Sequence, residues 1–357
     1  MKIDTKLHWG SGTPSLTELT RRGCEAEDGG YHGLWSAESA HDPFLPLVAA
    51  AQNTMSLQLG TAIAVAFARS PMTLAYTAYD LQQLSAGRFM LGLGSQVRPH
   101  IERRFAMPWG QPAARMREFI EAMRAIWSAW ATSERLDFEG EFYRHTLMTP
   151  FFSPPPSPWG PPAVFLAAVG EQMTTVAGAV CDGLLPHPFT TVDYLQQRTL
   201  PALQRGLAEA GRALEDFSIS LSGLVACGRS AEQMDNAVRR AREQIAFYGS
   251  TPAYHAVLEL HGWGDLGTEL NALSRSESPQ RWTRMGELID DEVLHAFAIV
   301  AEPDDLGPAI EQRFGAIVDR FSFYAPYEHD EDLWSSAVEH LSNTTVRQLT
   351  ESEGSRR

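Results

Sequence analysis

Short apolar runs alternate with longer amphipathic segments along the whole chain, and this alternation restricts the fold more than any other feature. Ile3 to His8 reads as a strand, with a helix from Ser15 to a stop at Gly29-Gly30. Gly33 to Ala37 is a second strand, and a helix opens at Pro43. Leu57 to Phe67 is β-branched and apolar without alternation, as a strand buried on both faces is. A helix over Pro71 to Ser85 leads to strand four, Arg88 to Leu93, which runs into Gly92 and Gly94. The helix Ala113 to Ala131 carries a core stripe of Met116, Phe119, Ile120, Met123, Ile126 and Trp127. Val164 to Val169, Gly183 to Pro186, Phe217 to Cys227 and His295 to Val300 complete eight strands, each followed by a helical segment. Eight such repeats in strict order fit a (β/α)8 TIM barrel better than an open doubly wound sheet. A dinucleotide-binding sheet would also need G-x-G-x-x-G after strand one, where the chain has HWGSGTP. Residues 1–357 thus read as one barrel domain with three additions. These are a lid-like insertion over 132–162 before strand five, a helical excursion over 249–290, and a C-terminal helix and tail over 330–357.

Charge removes whole classes of partner. The net charge is −15 and the pI about 5.2, which repels phosphate backbones and anionic lipid, so neither nucleic acid nor membrane is expected. The uncharged stretch Pro43 to Ala68 is interrupted by prolines, amides and a glycine, so it is not a membrane span, and the start MKIDTKLHWG lacks the apolar core of a signal peptide. Cys24, Cys181 and Cys227 share no CxxC spacing, which fits reduced thiols in a cytoplasmic protein. Only Lys2 and Lys6 supply lysine, so Schiff-base chemistry has one candidate, Lys6. A P-loop is absent.

In a barrel the chemistry sits where strands meet their following helices. Those positions carry His8, Glu38 with His41 and Asp42, Ser95 with Gln96 and His100, Gly170 with Glu171, His187, and Glu302. One reading is a metal hydrolase, but H-x-H after strand one and a close His pair on a helix are both missing, and no metal site is expected. The other is a redox barrel around a planar organic cofactor, with histidines passing protons. Ala62, Ala64 and Ala66 would leave room for a flat ring, although a tightly packed barrel layer explains the same residues.

The segments GLWSAESAHDPFLPL, LGTAIAVAFARSPMTLAYTAYDLQQLSAGRFMLGLGSQ, VFLAAVGEQMTTVAGAVCDGLLPHPF and FAIVAEPDDLGPAIEQR together resemble the bacterial luciferase-like monooxygenase superfamily, in its branch of coenzyme F420-dependent oxidoreductases. The likeness covers nearly the whole chain, and Leu84 to Gly94 is its most specific element. It implies a barrel with the cofactor ring across the strand ends, a small-molecule substrate and a homodimer. In the relatives a bulge with a non-proline cis peptide in strand three backs the ring, and the matching positions are Thr61, Ala62, Ile63 and Ala64. The ends of strands four and five match at Gly94, Ser95 and Val169. Gly170 and Glu171 match the point where the cofactor phosphate meets backbone amides, a placement with independent sense at a helix N-terminus. The sugar-phosphate dehydrogenases of the branch have an acid–histidine pair after strand two and a glutamate after strand four. Here the acid matches Glu38, but the next positions are Ser39 and Val97, so the phosphosugar chemistry does not transfer.

The sequence therefore predicts an oxidoreductase that moves a hydride between coenzyme F420 and a small organic substrate. His41 is the first candidate for the proton role, with His100 and His187 behind it, and Glu38 is expected to polarise a ring edge or hold a histidine tautomer. An FMN-dependent monooxygenase and a non-catalytic flavin-binding barrel are the alternatives.

Overall fold

The computed structural model describes residues 1–7 and 15–343. His8 lies outside the described residues. The fold is a (β/α)8 barrel, and the chain divides into two compact units.

The larger unit comprises Asp4–Leu185 and Pro201–Ser218. Its parallel strands run in the order β1 (Lys2–Lys6), β2 (Gly33–Ser36), β3 (Gln58–Thr61), β5 (Phe89–Gly94), β8 (Ala163–Ala168) and β9 (Gly183–Pro186), while β4 (Ala64–Val65) pairs with β5. Helix α1 (Leu16–Asp28) starts on Ser15, whose side chain accepts from Glu18 N, and ends at Gly29. The helices α2 (Leu45–Asn53), α3 (Pro71–Leu84), the short α4 (Arg98–Arg103), α5 (Pro112–Thr132) and α6 (Glu171–Val180) follow their strands. The stripe on α5 is buried throughout, as its spacing predicts. Inside the unit Trp35, Met90, Phe165 and Leu185 form one apolar cluster. Trp35 donates its indole N–H to the buried Asp4 at 2.8 Å, and its ring lies over Gly60, where a Cβ would come within 2.3 Å of it. Only glycine permits that contact. Lys6 is on the same inner face of β1 as Asp4, two residues on, and burial pulls its amine down to about 8.

The 132–162 segment, expected as a lid-like insertion, holds a two-stranded hairpin, β6 (Phe138–Glu139) and β7 (Arg144–His145), and lies along α5 and α3. The Glu118 carboxylate of α5 accepts from the amides of Glu141, Phe142 and Tyr143 at 2.9, 2.7 and 2.6 Å. Tyr79 of α3 donates to the Pro155 carbonyl and accepts from Ser157 N.

The second unit comprises Met1–Ile3, Pro186–Leu200 and Ile219–Arg357. The second unit holds α7 (Val192–Tyr194), whereas α8 (Leu200–Glu209) belongs from Pro201 on to the larger unit, and the long strand β10 (Ser218–Ala226) pairs along its first half with β12 (Arg320–Tyr324) and at its end with β11 (Ala298–Val300). Between β10 and β11, α9 (Ala231–Gly249) follows the strand, the expected excursion over 249–290 forms α10 (His255–Leu260), α11 (Gly264–Ser274) and α12 (Arg281–Glu287), and α13 (Asp291–Phe297) leads into β11; Ile245, Leu258, Leu270 and Phe297 of these helices pack into one core with Leu224 and Ala226 of β10 and Ala298 of β11.

Strand eight needs correction here. His295 belongs to α13, because Asp290 caps that helix by accepting from Val293 N at 2.9 Å. Only Ala298–Val300 is extended, and it extends the end of β10. The eighth barrel strand is β12, after α14 (Pro303–Phe314), in a stretch that periodicity left unassigned. Leu57–Phe67 is likewise not one strand, since β3 stops at Thr61 and β4 resumes at Ala64. The C-terminal helix begins as a tight turn over Glu331–Trp334 and continues through 335–343. Among the described residues no helix is long and apolar enough to cross a membrane.

Candidate functional site

The larger unit carries its special backbone at the end of strand three. Between the pairs Gly60↔Met90 and Ala64↔Leu93, three residues of this strand (61 to 63) lie opposite two of β5 (91 and 92), which is a bulge. The Ala62–Ile63 peptide within it is cis. Thr61 bridges the interrupted ladder with its side chain, donating to the Gly92 carbonyl at 2.7 Å and accepting from Gly92 N–H at 2.9 Å. From the other side, Ala62 N donates to Ser36 O and Glu38 N donates to Ile63 O. The glycines of the LGLG motif make room. A Cβ on Gly92 would stand 1.8 Å from the Thr61 carbonyl, and one on Gly94 would meet the Ile63 side chain at 2.8 Å. Thr61 and Ala64 are fully buried and build the bulge from behind, while Ala62 and Ile63 stay partly exposed as a small apolar ledge.

Glu38 stands beside the same bulge. Its carboxylate, 8% exposed, accepts from Val65 N at 2.7 Å and from Arg69 at 2.6 Å. Arg69 also reaches Asp42 at 3.4 Å, and Asp42 caps the entry to α2 by accepting from Phe44 N and Leu45 N. Neither acid is placed on a histidine by these bonds. Both are taken up in holding the bulge and the turn after β2, and Arg69, which sequence reasoning missed, links them. A contact between positions 38 and 69 leaves no local spacing signal.

His41 is exposed in that turn, and His100 is exposed on α4. Ser95 and Gln96 form a sharp turn after β5, with Gln96 at φ +59° and the Ser95 hydroxyl donating to the Gln96 carbonyl. Helix α6 opens on Gly170 with no side-chain cap, and a Cβ there would meet nothing within 4 Å. The Glu171 carboxylate pairs with Arg205 at 3.0 Å, which draws its charge toward α8, and Val169 is partly exposed just before this opening. The ten-residue helix thus offers its N-terminal amides and the positive end of its dipole to open space.

The second unit holds a different constellation. His187 directly follows β9, and its Nδ1 accepts from Phe189 N at 3.1 Å, which leaves Nε2 to carry the proton of the neutral ring. The imidazole stacks on Tyr254 with centroids 4.4 Å apart and meets Tyr248 edge-on at 4.8 Å. Tyr248 and Tyr324, the last residue of β12, share a hydroxyl–hydroxyl hydrogen bond of 2.9 Å. Burial raises the phenols of Tyr248, Tyr254 and Tyr324 above the ordinary value. All four rings are only partly buried. The three tyrosines were missed as well: RFSFY carries an alternation that marks Tyr324 as inward-facing once β12 is recognised.

An eight-stranded parallel barrel with a bulge at strand three defines the class of fold to which the chain belongs. The chain belongs to the luciferase-like monooxygenase family, which it matches over residues 2–320. It is 54% identical to an uncharacterized protein of Mycobacterium tuberculosis, over 82% of this chain and 86% of the relative. It is 25% identical to a 5,10-methylenetetrahydromethanopterin reductase of Archaeoglobus fulgidus, over 79% and 81%. The fold is shared with the coenzyme F420-dependent tetrahydromethanopterin reductase of Methanopyrus kandleri, at a TM-score of 0.75 and 19% identity, covering 96% of this chain and 97% of that one.

Proposed function

We propose that the protein is an oxidoreductase that moves a hydride between coenzyme F420 and a small organic substrate. The observation that carries this reading is the pairing, within one unit, of the Ala62–Ile63 ledge with the uncapped N-terminus at Gly170. A ledge of one alanine and one isoleucine accepts a flat ring, and open amides accept a phosphate, so the residues fit such a group. When bound, the deazaflavin supplies the hydride chemistry. The chain's own residues do the rest. Ala62 and Ile63 back the ring, Gly94 and Ser95 shape the turn beside the ledge, and Val169, Gly170 and Glu171 present the backbone to the phosphate. Glu38 and Arg69 keep the ledge in place from behind.

His187 joins His41 as a candidate for the proton role in this reading. The bond from Phe189 and the face of Tyr254 hold the His187 ring in one orientation and one tautomer, and His41 stands exposed in the turn after β2. A homodimer in the cytoplasm completes the proposal. Titrating the purified protein with coenzyme F420 and FMN side by side tests it, with F420 expected to bind in the micromolar range or tighter. Equal or stronger FMN binding, or oxygen-dependent turnover with reduced FMN, would make the protein a flavin monooxygenase instead.

A further inference from the structure

We propose that Lys6 is the anion-recognition residue beside the Ala62–Ile63 ledge, its ammonium gripping a negatively charged oxygen of the molecule that lies there. The inference deepens the hydride-transfer reading and rests on it for the identity of that molecule. Lys6 and the ledge both belong to the larger unit.

Strand register places the amine. Lys6, the last residue of β1, pairs with Trp35 of β2, and Trp35 pairs with Gly60 of β3. Neighbouring strands stand about 4.8 Å apart, so the backbones of Lys6 and Gly60 are roughly 10 Å from each other, with Trp35 between them. The indole of Trp35 bridges that interval. Its N–H reaches Asp4 on β1 at 2.8 Å, and its six-membered ring covers Gly60 on β3. Beyond both anchor points the chain runs on toward the C-terminal ends of the strands, where barrels carry out chemistry. On β1 this brings in Lys6, two residues past Asp4 on the same inner face. On strand three it brings in Ala62 and Ile63, which pack on the same apolar cluster as Trp35. Trp35 is buried, whereas Lys6, Ala62 and Ile63 are partly exposed. This end of the unit thus carries an apolar ledge on one strand and a primary amine two strands away.

The chemistry of that amine selects the ligand. Among the twenty-nine lysines and arginines only two are lysine, and the other one, Lys2, is exposed at the start of β1. Arginine serves the carboxylates and carbonyls of this unit, as Arg69, Arg88 and Arg115 do. A lysine offers instead a compact charge on a flexible stem, and its three donors leave some for a ligand even when the protein takes one. Burial holds this amine at about 8, so its charged form lacks part of the solvation it has in water, and an anion makes up for the loss. Two sources can bring such an oxygen to the ledge. One is the dione edge of a deazaflavin, which gains negative charge with the hydride, and the other is a carboxylate on the substrate.

With only two lysines in the chain, acetylation by acetic anhydride can be followed residue by residue with tandem mass spectrometry, at about pH 8, where the Lys6 amine is partly neutral. One arm adds reduced coenzyme F420. The other adds 2-naphthoate, a flat carboxylate, beside its neutral isostere 2-naphthamide. In at least one arm the anion should slow acetylation of Lys6 at least about tenfold and leave Lys2 unchanged, and the arm that does so names the source. In calorimetric titration the same anion should bind Lys6→Met at least about tenfold more weakly than wild type, and Lys6→Arg within about threefold of it. Naphthamide should neither protect Lys6 nor distinguish the variants. Protection in neither arm, equal protection by naphthamide, or unchanged affinity of the protecting anion for Lys6→Met would each overturn the inference. Should Lys6→Met fail to fold, the labelling of wild type and the binding to Lys6→Arg decide. Binding of F420 reads the parent proposal separately. F420 bound without protection in either arm removes only Lys6, and naphthoate protection in a protein that does not bind F420 removes only the hydride reading.

Discussion

The bulge of the larger unit and the ring cluster of the second unit occupy strand ends and are built from opposite materials. The bulge is made of small residues and backbone. Its glycines exist to let chain approach chain, and its charges, Glu38 and Arg69, act from behind on main-chain groups. The cluster is made of large rings whose hydroxyls and imidazole can exchange protons. The contrast separates two tasks. A surface that must stay flat excludes reactive side chains, and a surface that must move protons cannot be built without them.

If that division is right, the bulge should fail by unfolding and the cluster by losing chemistry. Gly92→Ala should show the largest effect. Its Cβ would stand 1.8 Å from the Thr61 carbonyl, and backbone on both sides has to move. A loss of about 3 kcal/mol or more in urea unfolding is expected, and a variant as stable as wild type would mean that the bulge is soft. Next, His187→Ala should slow turnover on the order of a hundredfold with little change in F420 affinity, and His41→Ala by less than about threefold. The reverse order would place the proton role in the turn after β2.

Gly170→Asp sharpens the comparison within the larger unit. The space above Gly170 is open, and aspartate is a good N-cap, so the fold should keep or gain stability. F420 affinity should nevertheless fall by at least about tenfold, roughly 1.4 kcal/mol, because a carboxylate replaces the room for an anion. Unchanged affinity in the isothermal titration would put the phosphate elsewhere.

The smallest effect is a control at the far end of strand three. The Glu27 carboxylate of α1 is pushed up by burial, but the amides of Ser56, Met55 and Leu57 and the Ser56 hydroxyl outweigh that and hold it at about 2. Its folded value lies below the unfolded one, so its contribution is complete above about pH 4.5 and fades as pH falls toward 2. Glu27→Gln should cost about 1 kcal/mol at pH 7, an amount reduced by its partial exposure, and less at pH 3, with F420 affinity untouched. Denaturant curves at the two pH values decide it.

Much of the frame was legible because hydrophobic period and turn chemistry are local. The Ser15 cap, the Gly29 stop, the α5 stripe and the strands before β10 lie where their residues say, except that the expected third strand breaks after Thr61. Strand eight was not, because β12 places Arg320 and Ser322 toward the interior and so lacks the continuous apolar run of a buried strand. Position 295 failed for the opposite reason, since an apolar stretch looks like a strand until the Asp290 cap commits it to helix. In the candidate site the glycines and the bulge positions could be read, but the pairings could not. Glu38 with Arg69, Thr61 with Gly92 and Tyr248 with Tyr324 join residues 31, 31 and 76 positions apart, and nothing in either neighbourhood names the other.

The helices between β10 and β11 do not bury a core alone, because Leu224 and Ala226 of β10 and Ala298 of β11 pack into one cluster with Ala241, Ile245, Leu258, Leu270 and Val293. A change of volume at any of these positions is therefore felt on both sides of the seam between helix and strand. Residues 231–297 form no free-standing cassette, and a graft of that stretch between homologues should hold together better when positions 224, 226 and 298 travel with it.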